Sequence, residues 1–271
     1  MCYYNGQKLT FAEFLRLKQI EKEIVALEGL DQALISGFDY GNSWVLKPVE
    51  GKEDVTLTRM EWGFIPSYIR TRNELEHFRK GGLNPRTNKY DPPILTLNAI
   101  GEELLEKPTY KKSALEKHCL IPSSGFFEWR HVYPLSKKTG QPLKTAVKYP
   151  YHIRLRSHGY FYMAGIWTEW TDAETGEYVE SFSIVTTKAN SLMEKIHNSK
   201  MRMPLILDEE KAWDWLFNAS DPDSVKKIIS YQYPADLMEA YPIRKDFQQN
   251  ADPLEAASYP DLDPPPTLLL L

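Results

Sequence analysis

The stretch CLIPSSGFFEWR, residues 119–130, carries the reading of the fold. Apolar and aromatic residues run through it on both sides of a Ser-Ser-Gly break, and each half is too short for a helix and rich in strand-favouring residues. The runs that follow have the same character: YHIRLR (151–156), YFYMAGIWTEW (160–170) and YVESFSIVTT (178–187), separated by turns. Neighbouring strands joined by short loops pair antiparallel, so the centre of the chain reads as a largely antiparallel sheet system.

Outward from this centre the pattern is mixed. Strand character extends over Leu34–Ile65, with alternation in VTLTRMEWGFIP (55–66), and PPILTLNA (92–99) and MPLIL (203–207) also read as strands. Thr10 and Glu13 form a capping-box pair, and Phe11, Phe14, Leu15, Ile20, Ile24 and Leu27 recur at helical spacing up to Gly29, which predicts a first helix. Further helices are expected over TRNELEHFRK (71–80), GEELLEK (101–107), TYKKSALEKH (109–118), NSLMEKIH (190–197) and DEEKAWDWLF (208–217), the last capped by Asp208. The class is therefore α+β, as one domain over residues 2–245 followed by a Pro-rich tail, 246–271, that wraps the surface or is disordered.

The 271 residues are 42% apolar and 13% aromatic, ample for a packed core. Two cysteines, Cys2 and Cys119, make neither a disulfide framework nor a metal motif, and no Gly-rich nucleotide loop occurs, so neither a metal nor a cofactor is expected. No apolar run approaches 18 residues, and the expectation is a soluble, cytoplasmic monomer without a membrane partner. Net charge is −4 but unevenly spread: residues 204–271 hold 5 Lys/Arg against 13 Asp/Glu, a balance of −8, leaving 28 against 24, or +4, for residues 1–203. A general nucleic-acid coat is excluded, whereas a local cationic groove is compatible with that balance.

Four residues could carry chemistry, each with a plainer alternative. Cys2 is either a small N-terminal residue or, once Met1 is removed, a terminal residue bearing a thiol and an α-amine together. Asn98 sits where a strand meets a helix and could serve as a cap. Glu128 lies in an aromatic strand, facing either solvent or an apolar pocket that raises its pKa toward neutrality. His197 ends a helical run, where an imidazolium suits the helix dipole.

Taken as a set, the initial MC, WGFIPSY (62–68), LNA (97–99), the GxxEW strand (125–129) and IHNSKMRMP (196–204) resemble the SRAP family, the SOS-response-associated peptidase domain proteins that bind and crosslink abasic DNA. The resemblance spans residues 2–217. It implies a compact, barrel-like β-rich body with flanking helices, a groove for single-stranded DNA, and a pocket made of Cys2, Asn98, Glu128 and His197. Two family features are replaced: Gly and Arg after the cysteine become Tyr3 and Tyr4, and the arginine of NAR becomes Ile100. Three extra residues separate His197 from RMP (202–204), bringing Lys200 into the loop beside Arg202. Phosphate contacts are then expected from Arg70, Arg86, Lys200 or Arg202, and base stacking or wedging from Trp62, Ile65, Pro66 and Tyr68. Such binding weakens as salt rises.

The implied chemistry suits the residue types. An α-amine of pKa about 7.7–8.0 is roughly a tenth unprotonated near pH 7, an advantage of about two orders of magnitude over lysine at about 10.4. It attacks the open-chain aldehyde of an abasic sugar, and the adjacent thiol closes a thiazolidine on the imine. The resemblance assigns proton transfer at the amine and imine to Glu128, sugar opening or 3′-phosphate binding to His197, and orientation of the terminus to Asn98. Met1 is removed either by the protein itself, the peptidase activity that the family label implies, or by an ordinary methionine aminopeptidase. The rival readings are an N-terminal-nucleophile glutamine amidotransferase, which needs a glutamine-binding arginine and a Gly-rich oxyanion turn soon after the nucleophile, and a non-catalytic DNA-binding protein.

Overall fold

The computed structural model describes residues 2–8, 14–17, 20–23, 31–84, 87–156, 158–260 and 262. Five strands close on themselves: Asn42–Pro48, Val55–Trp62, Tyr178–Lys188, Phe161–Thr171 and His118–Ser123 pair in that order and back to the first. Every pairing in the ring is antiparallel except Val55–Trp62 with Tyr178–Lys188, where Ser181 lies opposite Glu61 and Phe182 opposite Trp62. A second sheet runs Met238–Pro242, Val147–Leu155, Gly125–Val132, Tyr4–Lys8, Asp31–Ser36, again antiparallel throughout. The outcome is the expected α+β, strand-rich body, with the ring supplying the barrel-like part.

Strand alternation divides the core in two. Val45, Cys119, Ile121, Met163, Phe182 and Ile184 share one buried cluster with Cys2, Phe126, Tyr151 and Ile153 of the second sheet. Their neighbours Leu46, Leu120, Tyr162, Ala164 and Val185 face the other way, against Ala212, Trp215 and Leu216 of helix Glu209–Phe217 and Val225 and Ile229 of helix Pro222–Ile229. Trp215 also donates its indole N–H to Gly165 O at 3.0 Å, pinning its helix to the ring. A Cβ on Gly165 would lie 2.5 Å from Ile121 Cδ1 and 2.8 Å from Cys119 Sγ, so Cys119 fills the space that this glycine leaves.

Several local expectations change. Residues 14–17 and 20–23 are strand rather than helix: Phe14–Leu17 pairs antiparallel with Ile20–Glu23. That register sets Arg16 opposite Glu21 and Leu17 opposite Ile20 along the backbone. Thr10 and Glu13 lie outside the described residues. Over 101–118 the helical reading reduces to the 3-10 turn Gly101–Glu103 and the short helices Pro108–Lys111 and Ser113–Glu116. Of PPILTLNA only the end is strand, Asn98–Ile100. Helix Arg72–Lys80, capped by Thr71, forms as read, whereas helix Pro222–Ile229, with its Asp221/Ser224 capping box, is additional.

Past Tyr241, Ile243, Phe247 and Leu254 pack against Phe127, Trp129 and Tyr4 of the second sheet, and the tail from 263 onward lies outside the described residues. Ile243 bridges to Ala256, and Phe247 is buried with its ring stacked on Phe127 at 5.2 Å and 12°. Phe247→Leu keeps the apolar volume but loses the ring pair, so denaturant unfolding should show a loss of roughly 0.5–1.5 kcal/mol.

Candidate active site

Cys2 lies just before strand Tyr4–Lys8, which the second sheet holds between Gly125–Val132 and Asp31–Ser36. It is fully buried, and burial, with the Glu128 carboxylate adding to it, holds the thiol protonated far above its ordinary range. Sγ lies 3.5 Å from Tyr4 O. Asn98 Nδ2 donates to Cys2 O at 2.8 Å, fixing the terminal backbone from across the core. Asn98 is placed by a short parallel pairing with Tyr178–Lys188, opposite Ile184, and by Trp62, whose indole N–H donates to Leu97 O at 3.0 Å. Its buried Oδ1 accepts no hydrogen bond among the described residues.

Glu128 occupies the inward face of strand Gly125–Val132, 2% exposed, between outward-facing Phe127 and Trp129. Burial pushes its carboxyl up to about 7. His197 caps the C-terminus of helix Ser191–Ile196, and Nε2 lies 3.7 Å from Glu128 Oε2. The ring is set by a turn: Met201 N–H donates to His197 O at 2.8 Å, which returns Arg202 O to 2.8 Å from Nδ1. A carbonyl only accepts, so Nδ1 carries the proton and Nε2 presents its lone pair toward Glu128. Burial lowers His197 to about 4, with Lys200 pushing the same way, so at neutral pH the imidazole is neutral and only Glu128 of the pair titrates there. The same Lys200 charge draws Glu128 down, placing that exposed cation on the side of the site.

The sequence did not point to two residues that hold this pair in place. Asn198 accepts from His131 N–H at 2.9 Å and donates to His131 O at 2.8 Å, docking the His197 turn on the strand that carries Glu128. Glu102 receives both terminal nitrogens of Arg202, at 2.8 and 2.7 Å, and Arg202 also donates to Thr186 O at 2.6 Å. An asparagine directly after the candidate histidine was the available signal for the first, and the acidic pair after NAI for the second.

The residues expected at nucleic acid fall into different environments. Trp62 is 1% exposed and stacked on Phe182, Ile65 is buried in a separate cluster with Ile69, Leu75, Phe78 and Trp170, and Pro66 is buried, so these three cannot wedge between bases: they are core. Tyr68 is 60% exposed. Arg202 is committed to Glu102 and is not a ready phosphate ligand; Arg70 and Lys200 are exposed, and Arg86 lies outside the described residues. Tyr4, at the position of a family arginine, packs on Trp129 (5.5 Å) and Phe247 (5.8 Å) and accepts a hydrogen bond from Gln248 Nε2.

Comparison with known proteins agrees with this architecture. Residues 39–250 match the sequence model of the SOS response associated peptidase (SRAP) family. The abasic site processing protein YoqW of Bacillus subtilis is 30% identical over 88% of this chain and 91% of its own, and YobE of the same organism is 33% identical over 88% and 93%. A crystal structure of a Bacteroides thetaiotaomicron protein superposes with a TM-score of 0.66 at 30% identity, covering 83% of this chain and 85% of that one. The family match over most of the length, and relatives covered nearly end to end, establish that the chain belongs to the SRAP family.

Proposed function

We propose that this protein recognises abasic sites in single-stranded DNA and captures them covalently through Cys2 after loss of Met1. The carrying observation is the convergence on Cys2: Asn98 holds its carbonyl, and a carboxyl near neutrality stands beside a neutral imidazole in the same buried pocket. The names of the YoqW and YobE relatives support the lesion.

The Cys2 α-amine attacks C1′ of the ring-opened sugar, giving a carbinolamine. Glu128 in its protonated form donates to the departing hydroxyl, water leaves, and the resulting iminium returns its nitrogen proton to Glu128 as the imine forms. The thiol then adds across C=N: sulfur bonds to C1′, the thiol proton passes to nitrogen by way of Glu128, and the five-membered thiazolidine closes. Such a thiol need not be a standing thiolate, since its proton is transferred within the ring-closing step. His197 Nε2 accepts from the sugar hydroxyl as the ring opens, and Asn98 keeps the terminus in register. Met1 leaves by hydrolysis of the Met1–Cys2 peptide bond, water supplying the hydroxyl of the released methionine carboxyl and a proton to the Cys2 nitrogen, with Glu128 relaying that proton. This reading goes beyond the glutaminase alternative because the chain after Cys2 enters strand Tyr4–Lys8 rather than a Gly-rich oxyanion turn.

The test is a denaturing gel and intact mass of the purified protein after incubation with an oligonucleotide bearing one abasic site. The expected product is a one-to-one covalent adduct whose protein part lacks Met1, absent with undamaged DNA and absent when an uncleavable residue precedes Cys2. No adduct from a protein shown by mass to begin at Cys2 sinks the reading.

A further inference from the structure

The strand that carries Glu128 runs on into a charged hairpin that the chemistry above does not use. From Trp129 to Thr168 the chain holds seven Lys/Arg and no Asp or Glu, a balance of +7 in a chain whose net charge is −4. Arg154 is paired with Glu239, and Arg156 donates to Met238 O. Lys137, Lys138, Lys144 and Lys148 are exposed, and none of the four pairs with a carboxylate among the described residues. The first three lie on the connection between strands Gly125–Val132 and Val147–Leu155. Its backbone is held: Leu135 bridges to Pro142, Ser136 N–H donates to Gln141 O, Leu143 N–H to Pro134 O and Gly140 N–H to Ser136 O, each at 2.8 Å. Gly140 makes the turn in the left-handed region, at φ 67°. The lysines are therefore carried on a preformed tip, and binding to it costs little backbone ordering.

Its place relative to the site follows from the strand register. Pairing is unbroken from Phe126 with Ile153 to Val132 with Val147, so the hairpin is a direct extension of the sheet at Glu128. His131, on which the His197 turn docks, lies opposite Lys148, and the Lys200 charge acts on both Glu128 and His197. Cations thus run from the pocket, through Lys200 and Lys148, to the tip. From Glu128 to Ser136 is about 25 Å of extended chain, at roughly 3.3 Å per residue. A stacked strand advances about 3.4 Å per nucleotide, so the tip stands up to roughly seven nucleotides from the reacting sugar. Tyr133, Leu135 and Leu143 are 49, 64 and 45% exposed on the same hairpin, apolar surface interleaved with the lysines. A row of cations with no acid among them, leading away from a pocket for a nucleotide, is the complement of a polyanion with evenly spaced charges.

We propose that the hairpin between Val132 and Val147 is an arm that holds the phosphodiester backbone of the DNA strand several nucleotides away from the lesion, with Lys137, Lys138 and Lys144 as its phosphate ligands. The proposal rests on the abasic-site reading above, and its test is kept separate from the covalent step. Equilibrium binding is measured against salt concentration with single-stranded oligonucleotides carrying one central, non-reactive tetrahydrofuran lesion and either about three or about ten nucleotides on each side of it. Each lysine withdrawn from a phosphate takes about 0.7 from the salt slope on a single strand, so the triple variant Lys137→Gln, Lys138→Gln, Lys144→Gln should bind the long strand with a slope shallower by about 2. A rise in salt of about fourfold then weakens the wild type roughly 20-fold more than the variant. On the short strand the two proteins should match. The charge-keeping triple variant Lys137→Arg, Lys138→Arg, Lys144→Arg should retain the wild-type slope, and folding is unaffected because these side chains are at the surface. Equal slopes for wild type and Gln variant on the long strand, the same difference on the short strand, a slope lost in the Arg variant, or absence of binding overturns the arm. Adduct formation on a short reactive abasic strand is scored separately and should be equal in wild type and Gln variant. Its failure in both, with the long-strand difference intact, sinks the abasic-site reading and leaves the arm standing as a contact to single strands.

Discussion

Cys2→Ala is expected to form no adduct that survives denaturation, while borohydride still traps an imine on it. Alanine keeps a small second residue and, once Met1 is gone, an α-amine, so attack on the aldehyde remains open. What is lost is the sulfur that closes the ring, and an imine in water reverts. Cys119 cannot stand in, being buried against Gly165 inside the ring of strands and carrying no α-amine. Cys2→Ser separates the steps further, since its hydroxyl could close only a more labile oxazolidine. The measurement is a denaturing gel with and without reductant. A heat-stable band from Cys2→Ala without reductant would mean that another residue holds the DNA, and the thiazolidine assignment would fall. The expected effect is complete loss, because a missing atom cannot be compensated by its surroundings.

Much of this site was legible because strands announce their faces. In GFFEWR the alternation already places Glu128 on the face opposite Phe127 and Trp129, and the open question was whether the Glu128 face meets solvent or an apolar pocket. The ring strands, with their β-branched and aromatic alternation, were equally readable. The antiparallel pairing of Phe14–Leu17 with Ile20–Glu23 was not, because Phe14, Leu15 and Ile20 also satisfy a helical repeat. Trp62 shows the converse limit. An aromatic in a motif reads as a ligand contact, but its indole N–H finds Leu97 O and its ring finds Phe182, contacts made by chain 35 and 120 positions away. Arg202 reads as a phosphate ligand until Glu102, 100 residues earlier, is seen to occupy its fork. Sequence supplies residue types and faces. Partners of polar groups come from the topology, which is why the His197 tautomer, set by Arg202 O, was beyond it.

Glu128→Gln is expected to slow adduct formation by roughly 10²–10⁴-fold, the usual contribution of a positioned proton donor and acceptor. Glutamine keeps the shape and a hydrogen bond but can neither give its proton to the carbinolamine hydroxyl nor take the one released by the thiol. The pH dependence distinguishes this from simple disturbance. With the carboxyl at about 7, the wild-type rate should carry an ionisation there, and the Gln variant should lose that inflection while keeping the one belonging to the α-amine. Stability gives an independent check with a definite sign. A carboxyl raised from its ordinary 4.5 contributes stability that is complete below 4.5 and is lost as pH rises through about 7, on the order of 3 kcal/mol. Glu128→Gln should therefore gain on the wild type as pH is raised from 4 to 8. His197, lowered from 6.5 to about 4, acts in the opposite sense, its contribution being lost as pH falls through that window, so the Gln variant should still weaken on the acid side. Wild-type-like kinetics together with an unchanged pH profile would show that Glu128 holds structure and moves no proton. A slow variant that also fails to gain stability at pH 8 would place the carboxyl in water, contrary to its burial behind Cys2, and the proton path would then have to run through solvent instead.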